Sequence, residues 1–186
     1  MFHHPCAELT RLQAEAMGIK HVVKETAGEK EKELEDLTAV LKSVKGEVDA
    51  VVSGAIASRY QKDRVDAVCK ELGLRSIAPL WGKDQLTLLK DEIEAGLKIV
   101  MTAVAAEGLD ASWLGRTIDG AAANELAALH KQSGINIAGE GGEYESFATD
   151  APFFKRRVDL GAMEKVWDED TSSGYIICKD AKLVSK

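Results

Sequence analysis

Apolar residues recur along this chain with two alternating periods, and the alternation predicts a mixed α/β protein. Leu9, Leu12, Ala16 and Met17 share one face of a helix over residues 5–17, which Gly18 stops. Val22 and Val23 mark a strand over residues 19–26. Beyond Gly28, Leu34, Leu37, Val40, Leu41 and Val44 return to helical spacing over residues 29–44. The run Val48-Asp49-Ala50-Val51-Val52 suits a strand buried on both faces of a parallel sheet. Ser58 is placed to cap a helix that ends at Gly73, with Val65, Val68, Cys69 and Leu72 facing inward, and residues 75–80 supply the next strand.

Helix and strand in strict alternation predict an open parallel sheet, in which ligands bind beyond the carboxyl ends of strands. Ser53-Gly54 and Pro79-Leu80-Trp81 lie at two such ends. After Gly82 the pattern changes to a helix over residues 84–95, a strand over 97–104 and a helix over 119–133. Short strands follow at 156–160, 165–167 and 175–179, with a turn at Ser172-Ser173-Gly174. The change divides the chain into an α/β domain, residues 1–82, and a smaller α+β domain, residues 83–186.

Composition narrows the function. The 186 residues are 45% hydrophobic, enough for a sizeable core. Basic residues number 24 and acidic ones 31, a formal charge of −7, which disfavours a nucleic-acid partner. No apolar stretch approaches the roughly 20 residues of a membrane span, and no leader precedes the first helix, so a cytoplasmic protein is expected. Cys6, Cys69 and Cys178 are widely spaced and form no Cys-x-x-Cys pair, so neither a disulfide framework nor a cysteine zinc site is expected. In His3-His4-Pro5-Cys6, adjacent side chains point apart, and the string reads as the cap of the first helix rather than a metal site.

Chemistry is concentrated in Gly139-Glu140-Gly141-Gly142-Glu143-Tyr144-Glu145. Its glycines let backbone N–H groups approach a ligand, and Glu140, Glu143 and Glu145 have the charge to hold a cation or a metal-bound phosphate. The alternative is an acidic surface turn. Against it stand Tyr144, Phe147 and Pro152-Phe153-Phe154, which bracket the acids with aromatic bulk. Because a glycine-rich acidic loop buries little apolar surface, the three acids are expected to serve chemistry more than folding.

Several strings carry a resemblance. Ser53-Gly54-Ala55-Ile56-Ala57-Ser58-Arg59-Tyr60-Gln61, Arg64-Val65, Pro79-Leu80-Trp81, Gly108-Leu109, Leu114-Gly115-Arg116 with Asp119, and residues 139–146 with Asp150-Ala151-Pro152 occur in an order that resembles the diphthine ammonia ligases. These are archaeal and eukaryotic enzymes of the PP-loop ATP pyrophosphatase superfamily, and the resemblance runs to about Arg157. It implies an open parallel sheet of the adenine-nucleotide alpha-hydrolase (HUP) type. It also implies a reaction: ATP activates the carboxylate of diphthine, a modified histidine of translation elongation factor 2, as an acyl-adenylate, and ammonia then gives diphthamide, with AMP and pyrophosphate released. ATP and Mg²⁺ are the implied cofactors.

Under that resemblance, Glu140, Glu143 and Glu145 become candidate catalytic residues. Gly141, Gly142, Tyr144 and Trp81 become candidates for the substrate, with π-faces for its quaternary ammonium. Ser53, Gly54, Arg59, Gln61 and Arg64 become candidates for the nucleotide. Other readings stand beside these: Trp81 as a core or interface aromatic, and Arg59 and Arg64 as exposed charges paired with Asp63 or Asp66.

The family's phosphate loop, Ser-Gly-Gly-Lys-Asp-Ser, has no counterpart string in this sequence. The sequence therefore reads as an N-terminally truncated form of the family, expected to bind Mg-ATP poorly. Without a first strand its sheet would expose edges that a homo-oligomer or a separate PP-loop chain would cover. The second reading of function follows: a non-catalytic truncated or split-gene subunit that binds elongation factor 2 or such a chain.

Overall fold

A computed structural model describes residues 6–26 and 32–186, which divide into two compact units. The first comprises the described residues between 22 and 83, and the second residues 6–21 together with 84–186. His3, His4, Pro5 and Gly28 lie outside the described residues.

In the first unit, α2 (Lys32–Val44) precedes β1 (Ala50–Val52), and α3 (Arg59–Leu72) links it to β2 (Arg75–Ile77). The two strands pair in parallel, Val51 opposite Ser76. Ser58 accepts the Gln61 N–H at 3.3 Å to start α3, and Gly73, left-handed at φ 69°, ends it. Val68, Cys69, Leu72 and Leu74 form the core, with Leu34, Leu37, Leu41, Val51 and Val65 packed against it, so the predicted inner face of α3 is the observed one. Val52 and its partner Ile77 are exposed.

The second unit begins with α1 (Thr10–Met17), preceded by a 3₁₀ turn and stopped by Gly18. It continues through α4 (Gln85–Glu94), β3 (Lys98–Val104), α5 (Gly120–Ser133), β4 (Tyr144–Asp150), β5 (Arg157–Asp159), β6 (Met163–Asp168), β7 (Ser173–Cys178) and β8 (Lys182–Val184). Its main sheet has the order β4-β3-β7-β6 and is antiparallel throughout, and β5 and β8 form a second antiparallel pair. β3 is central, and Met101, Thr102 and Val104 on it are almost wholly buried. Its core extends over Leu114, Leu126, Phe147 and Ile176.

The expectation of an open parallel sheet of the HUP type is therefore overturned. Among the described residues only β1 and β2 run in parallel, and they make a two-stranded sheet. The cause of the antiparallel arrangement lies in residues 113–118. This stretch doubles back along β3, with Gly115 N–H donating to the Met101 carbonyl (2.9 Å), Met101 N–H to Arg116 (2.9 Å) and Ile118 N–H to Ile99 (2.8 Å). The chain thus returns to the start of β3 before α5 begins. After α5, β4 starts beside the end of β3, with Tyr144 opposite Val104. A parallel return would need the crossover helix to begin at the far end of β3.

The strand expected over residues 19–26 does not form. Ile19 and Val23 are 57% and 71% exposed, and among the described residues no strand pairs with this stretch. Among the described residues no helix is long and apolar enough to cross a membrane.

Candidate active site

The glycine- and glutamate-rich segment is a loop closed by its own side chains. α5 ends at Gly134, whose N–H donates to the His130 carbonyl, and His130 Nδ1 donates to Ile135 at 2.6 Å. Ile135 and Ile137 are buried and anchor the entry to the loop. Gln85 of α4 accepts the Ile137 N–H at 3.0 Å, and the Tyr144 hydroxyl donates to the Ile137 carbonyl at 2.7 Å. Asn136 Oδ1 accepts the Ala138 N–H at 2.9 Å, a turn that a short polar side chain makes with its own backbone.

Glu143 bridges the two halves. One carboxylate oxygen accepts the Asn136 N–H at 3.0 Å and the other the Gly141 N–H at 2.9 Å. Its own carbonyl accepts the Ala105 N–H at 2.8 Å, which fastens the loop to the end of β3. Gly139 is required by shape: it adopts φ 72°, and a β-carbon there would lie 2.9 Å from the Tyr144 carbonyl.

This geometry separates the three acids. Glu143 holds the loop; Glu145 lies on β4 opposite Ala103, and Glu140 stands at the loop tip, both half-buried. Among the described residues no group of three or more His, Cys, Asp or Glu side chains is placed to hold a metal ion. Tyr144 is 6% exposed and belongs to the core, so its ring packs inward rather than offering an open face. Burial, and then the charges of Glu92 and Glu143, push its phenol well above the usual range.

Glu92 is a carboxylate that sequence patterning did not single out. It sits on α4, half-buried, and its carboxyl is pushed above the ordinary range by burial. The folded state therefore favours the neutral acid. As pH rises past the ordinary glutamate value the unfolded chain ionises first, so the contribution of Glu92 to stability is most favourable at low pH and falls as pH passes through its raised folded value. Glu92→Gln should accordingly raise the melting temperature at about pH 8 and leave it nearly unchanged at about pH 4, checked by thermal unfolding across pH. A variant that melts lower at both pH values would show that the carboxylate is structurally required.

The remaining candidates lie on the first unit. Ser53, whose N–H donates to Ile77 at 3.0 Å, has a buried hydroxyl with no hydrogen-bond partner among the described residues, and exposed Gly54 follows it. Arg59 is exposed at the start of α3, and the Gln61 amide receives the Ser58 cap. The Arg64 guanidinium stacks 3.5 Å from the Tyr60 ring centre, and Asp66 pairs with Lys62 at 2.5 Å. Trp81 is half-buried, with the Lys62 ammonium 5.5 Å from its ring centre.

Residues 84–184 match the family model described as the diphthamide synthase C-terminal domain, and residues 1–76 that of the diphthamide synthase N-terminal domain. The chain belongs to the diphthamide synthase family. It is 42% identical over 176 residues to a diphthine–ammonia ligase of Danio rerio, which covers 86% of this chain and 68% of that protein. It is 41% identical over 157 residues to one from Schizosaccharomyces pombe (83% and 25%), and 42% identical over 137 residues to one from Homo sapiens (72% and 51%). This family member thus spans a quarter to two thirds of the length of these relatives.

Proposed function

We propose that this chain acts in the ATP-dependent amidation of diphthine on translation elongation factor 2. The diphthine carboxylate attacks the α-phosphorus of ATP, pyrophosphate leaves, and ammonia then displaces AMP from the acyl-adenylate to give the carboxamide and a proton. The observation that carries this reading is the match of both family domains in order, together with the closed glycine–glutamate loop in the second of them.

On this reading the residues divide by task. In the second unit, Glu140 and Glu145 act on the substrate, Gly141 and Gly142 present backbone to it, and Glu143 and Tyr144 keep the loop in shape. In the first unit, the Ser53 hydroxyl, without a partner among the described residues, and the start of α3 support a nucleotide role for Ser53, Gly54, Arg59, Gln61 and Arg64, since a helix N-terminus favours anions. Trp81 already takes an ammonium at cation–π distance within its own unit, which supports a role toward a cation. Mg²⁺ enters as the companion of the ATP phosphates.

The discriminating experiment compares two forms of elongation factor 2, bearing diphthine or unmodified histidine, for binding to the chain by calorimetry. Preference for the diphthine form by about tenfold or more, a difference of roughly 1.4 kcal/mol, is expected. Equal affinity for the two would refute substrate recognition by this chain.

A further inference from the structure

Two cysteines from opposite ends of the sequence, Cys6 and Cys178, meet inside the second unit. Cys6 immediately precedes the 3₁₀ turn Ala7–Leu9, and Cys178 is the last residue of β7. Their thiols lie against each other, placed for the Cys6 Sγ–H to donate to Cys178. Cys6 is 5% exposed and belongs to the main core, against which Cys178 packs half-buried. Both are free thiols, as is Cys69, which is wholly buried in the first unit.

The surroundings of each thiol hold it in place. Cys6 adopts φ 61° and ψ 13°, a left-handed conformation uncommon for a residue with a β-carbon. The turn that follows keeps it there: the Cys6 carbonyl accepts the Leu9 N–H at 2.9 Å, and the Thr10 hydroxyl donates to the Ala7 carbonyl at 2.7 Å. Cys178 is fixed by its pairing with Met163 of β6, and the next residue, Lys179, pairs with Glu164 at 2.5 Å. Burial, and then the neighbouring Cys178 and Glu8, push the Cys6 thiol up to about 12. Burial also raises the Cys178 thiol, but the hydrogen bond from Cys6 opposes that rise. Cys178, the more exposed of the two, is therefore the thiol that ionises first and meets an oxidant.

We infer that Cys6 and Cys178 form a reversible disulfide site, oxidised by a low-molecular-weight disulfide, that clamps the start of α1 to the end of β7. The Cys178 thiolate attacks one sulfur of the small disulfide, whose S–S bond breaks and releases one small thiolate. The Cys6 sulfur then attacks the Cys178 sulfur of the mixed disulfide and expels the second small thiolate. The protons of Cys6 and Cys178 pass to the two leaving thiolates, so two protein thiols and one small disulfide give one protein disulfide and two small thiols. Contact between the sulfurs makes the second step intramolecular and needs no search. The raised thiols slow the first step, so the site expresses itself at equilibrium rather than in its rate. Once formed, the bond closes the chain from residue 6 to residue 178 and restricts the unfolded state.

The test equilibrates the folded chain with oxidised glutathione, alkylates the remaining thiols and maps the peptides by mass spectrometry. The peptide containing Cys6 should be found joined to that containing Cys178, with Cys69 alkylated, and dithiothreitol should restore all three thiols. The oxidised chain should melt about 4–16 °C above the reduced one, the shift that a disulfide closing a long loop gives in a chain of this size. Cys6→Ala should stop at a glutathione adduct on Cys178, and Cys178→Ala should leave Cys6 a free thiol. Three results overturn the proposal: Cys6 and Cys178 both reduced in excess oxidised glutathione, a glutathione adduct on Cys178 that persists in the parent chain, or a Cys6–Cys178 link that forms only after unfolding in urea. A disulfide that leaves the melting temperature unchanged or lower would overturn the clamp.

Discussion

Tyr144→Ala is expected to destabilise the chain by about 3–5 kcal/mol, the cost of emptying a fully packed aromatic site. Tyr144 is 6% exposed, lies in the main core with Phe147 and Leu126, and donates its hydroxyl to the Ile137 carbonyl at 2.7 Å. Truncation removes the ring, leaves a cavity beneath the glycine–glutamate loop and strips that carbonyl of its donor. Tyr144→Phe keeps the ring and loses one neutral hydrogen bond, so about 1 kcal/mol is expected. Urea unfolding of both variants gives the comparison. If Tyr144→Ala were as stable as the parent, the ring would not be the packed support described here, and a direct role toward substrate would regain its standing.

Glu143→Ala should cost about 3 kcal/mol, because it deletes both acceptors that close the loop, and hydrogen bonds to a charged group are each worth about 1.5–3 kcal/mol. For a chain of this size that lowers the melting temperature by about 6–12 °C. Glu143→Gln retains one carbonyl oxygen and turns an N–H₂ group toward an N–H, so an intermediate loss is expected. This reverses the expectation from sequence that the acids of this segment contribute little to folding. An unchanged melting temperature for Glu143→Ala would restore it.

Much of the local structure was legible, and the sheet topology was not. The inner face of α3, its Ser58 cap and its Gly73 stop follow from spacing and capping chemistry, and all three are observed. Parallel pairing was inferred from alternating helices and strands, which cannot reveal that residues 113–118 carry the chain back along β3 through backbone hydrogen bonds. β4 escaped notice because its buried positions, Tyr144 and Phe147, fall three apart rather than two or four. Val22 and Val23 read as a strand, although strand formation depends on a partner and none pairs with them among the described residues.

The candidate site was legible as a composition and not as a division of labour. Three glutamates and a tyrosine within seven residues marked the segment. Which acid faces the loop amides, and that the tyrosine turns inward, are consequences of the turn at Asn136 and of the buried Ile137, whose spacing carries no such signal.

The most direct test of the central claim is mass spectrometry of diphthine-bearing elongation factor 2 after incubation with Mg-ATP, ¹⁵N-ammonium and a form of the chain to which the family's Ser-Gly-Gly-Lys-Asp-Ser phosphate loop has been restored. The account predicts conversion of the diphthine carboxylate to a ¹⁵N-carboxamide, with one AMP and one pyrophosphate released per amide, and loss of conversion in a Glu140→Gln variant that melts like the parent. A folded chain that binds the substrate and leaves its carboxylate intact would contradict it.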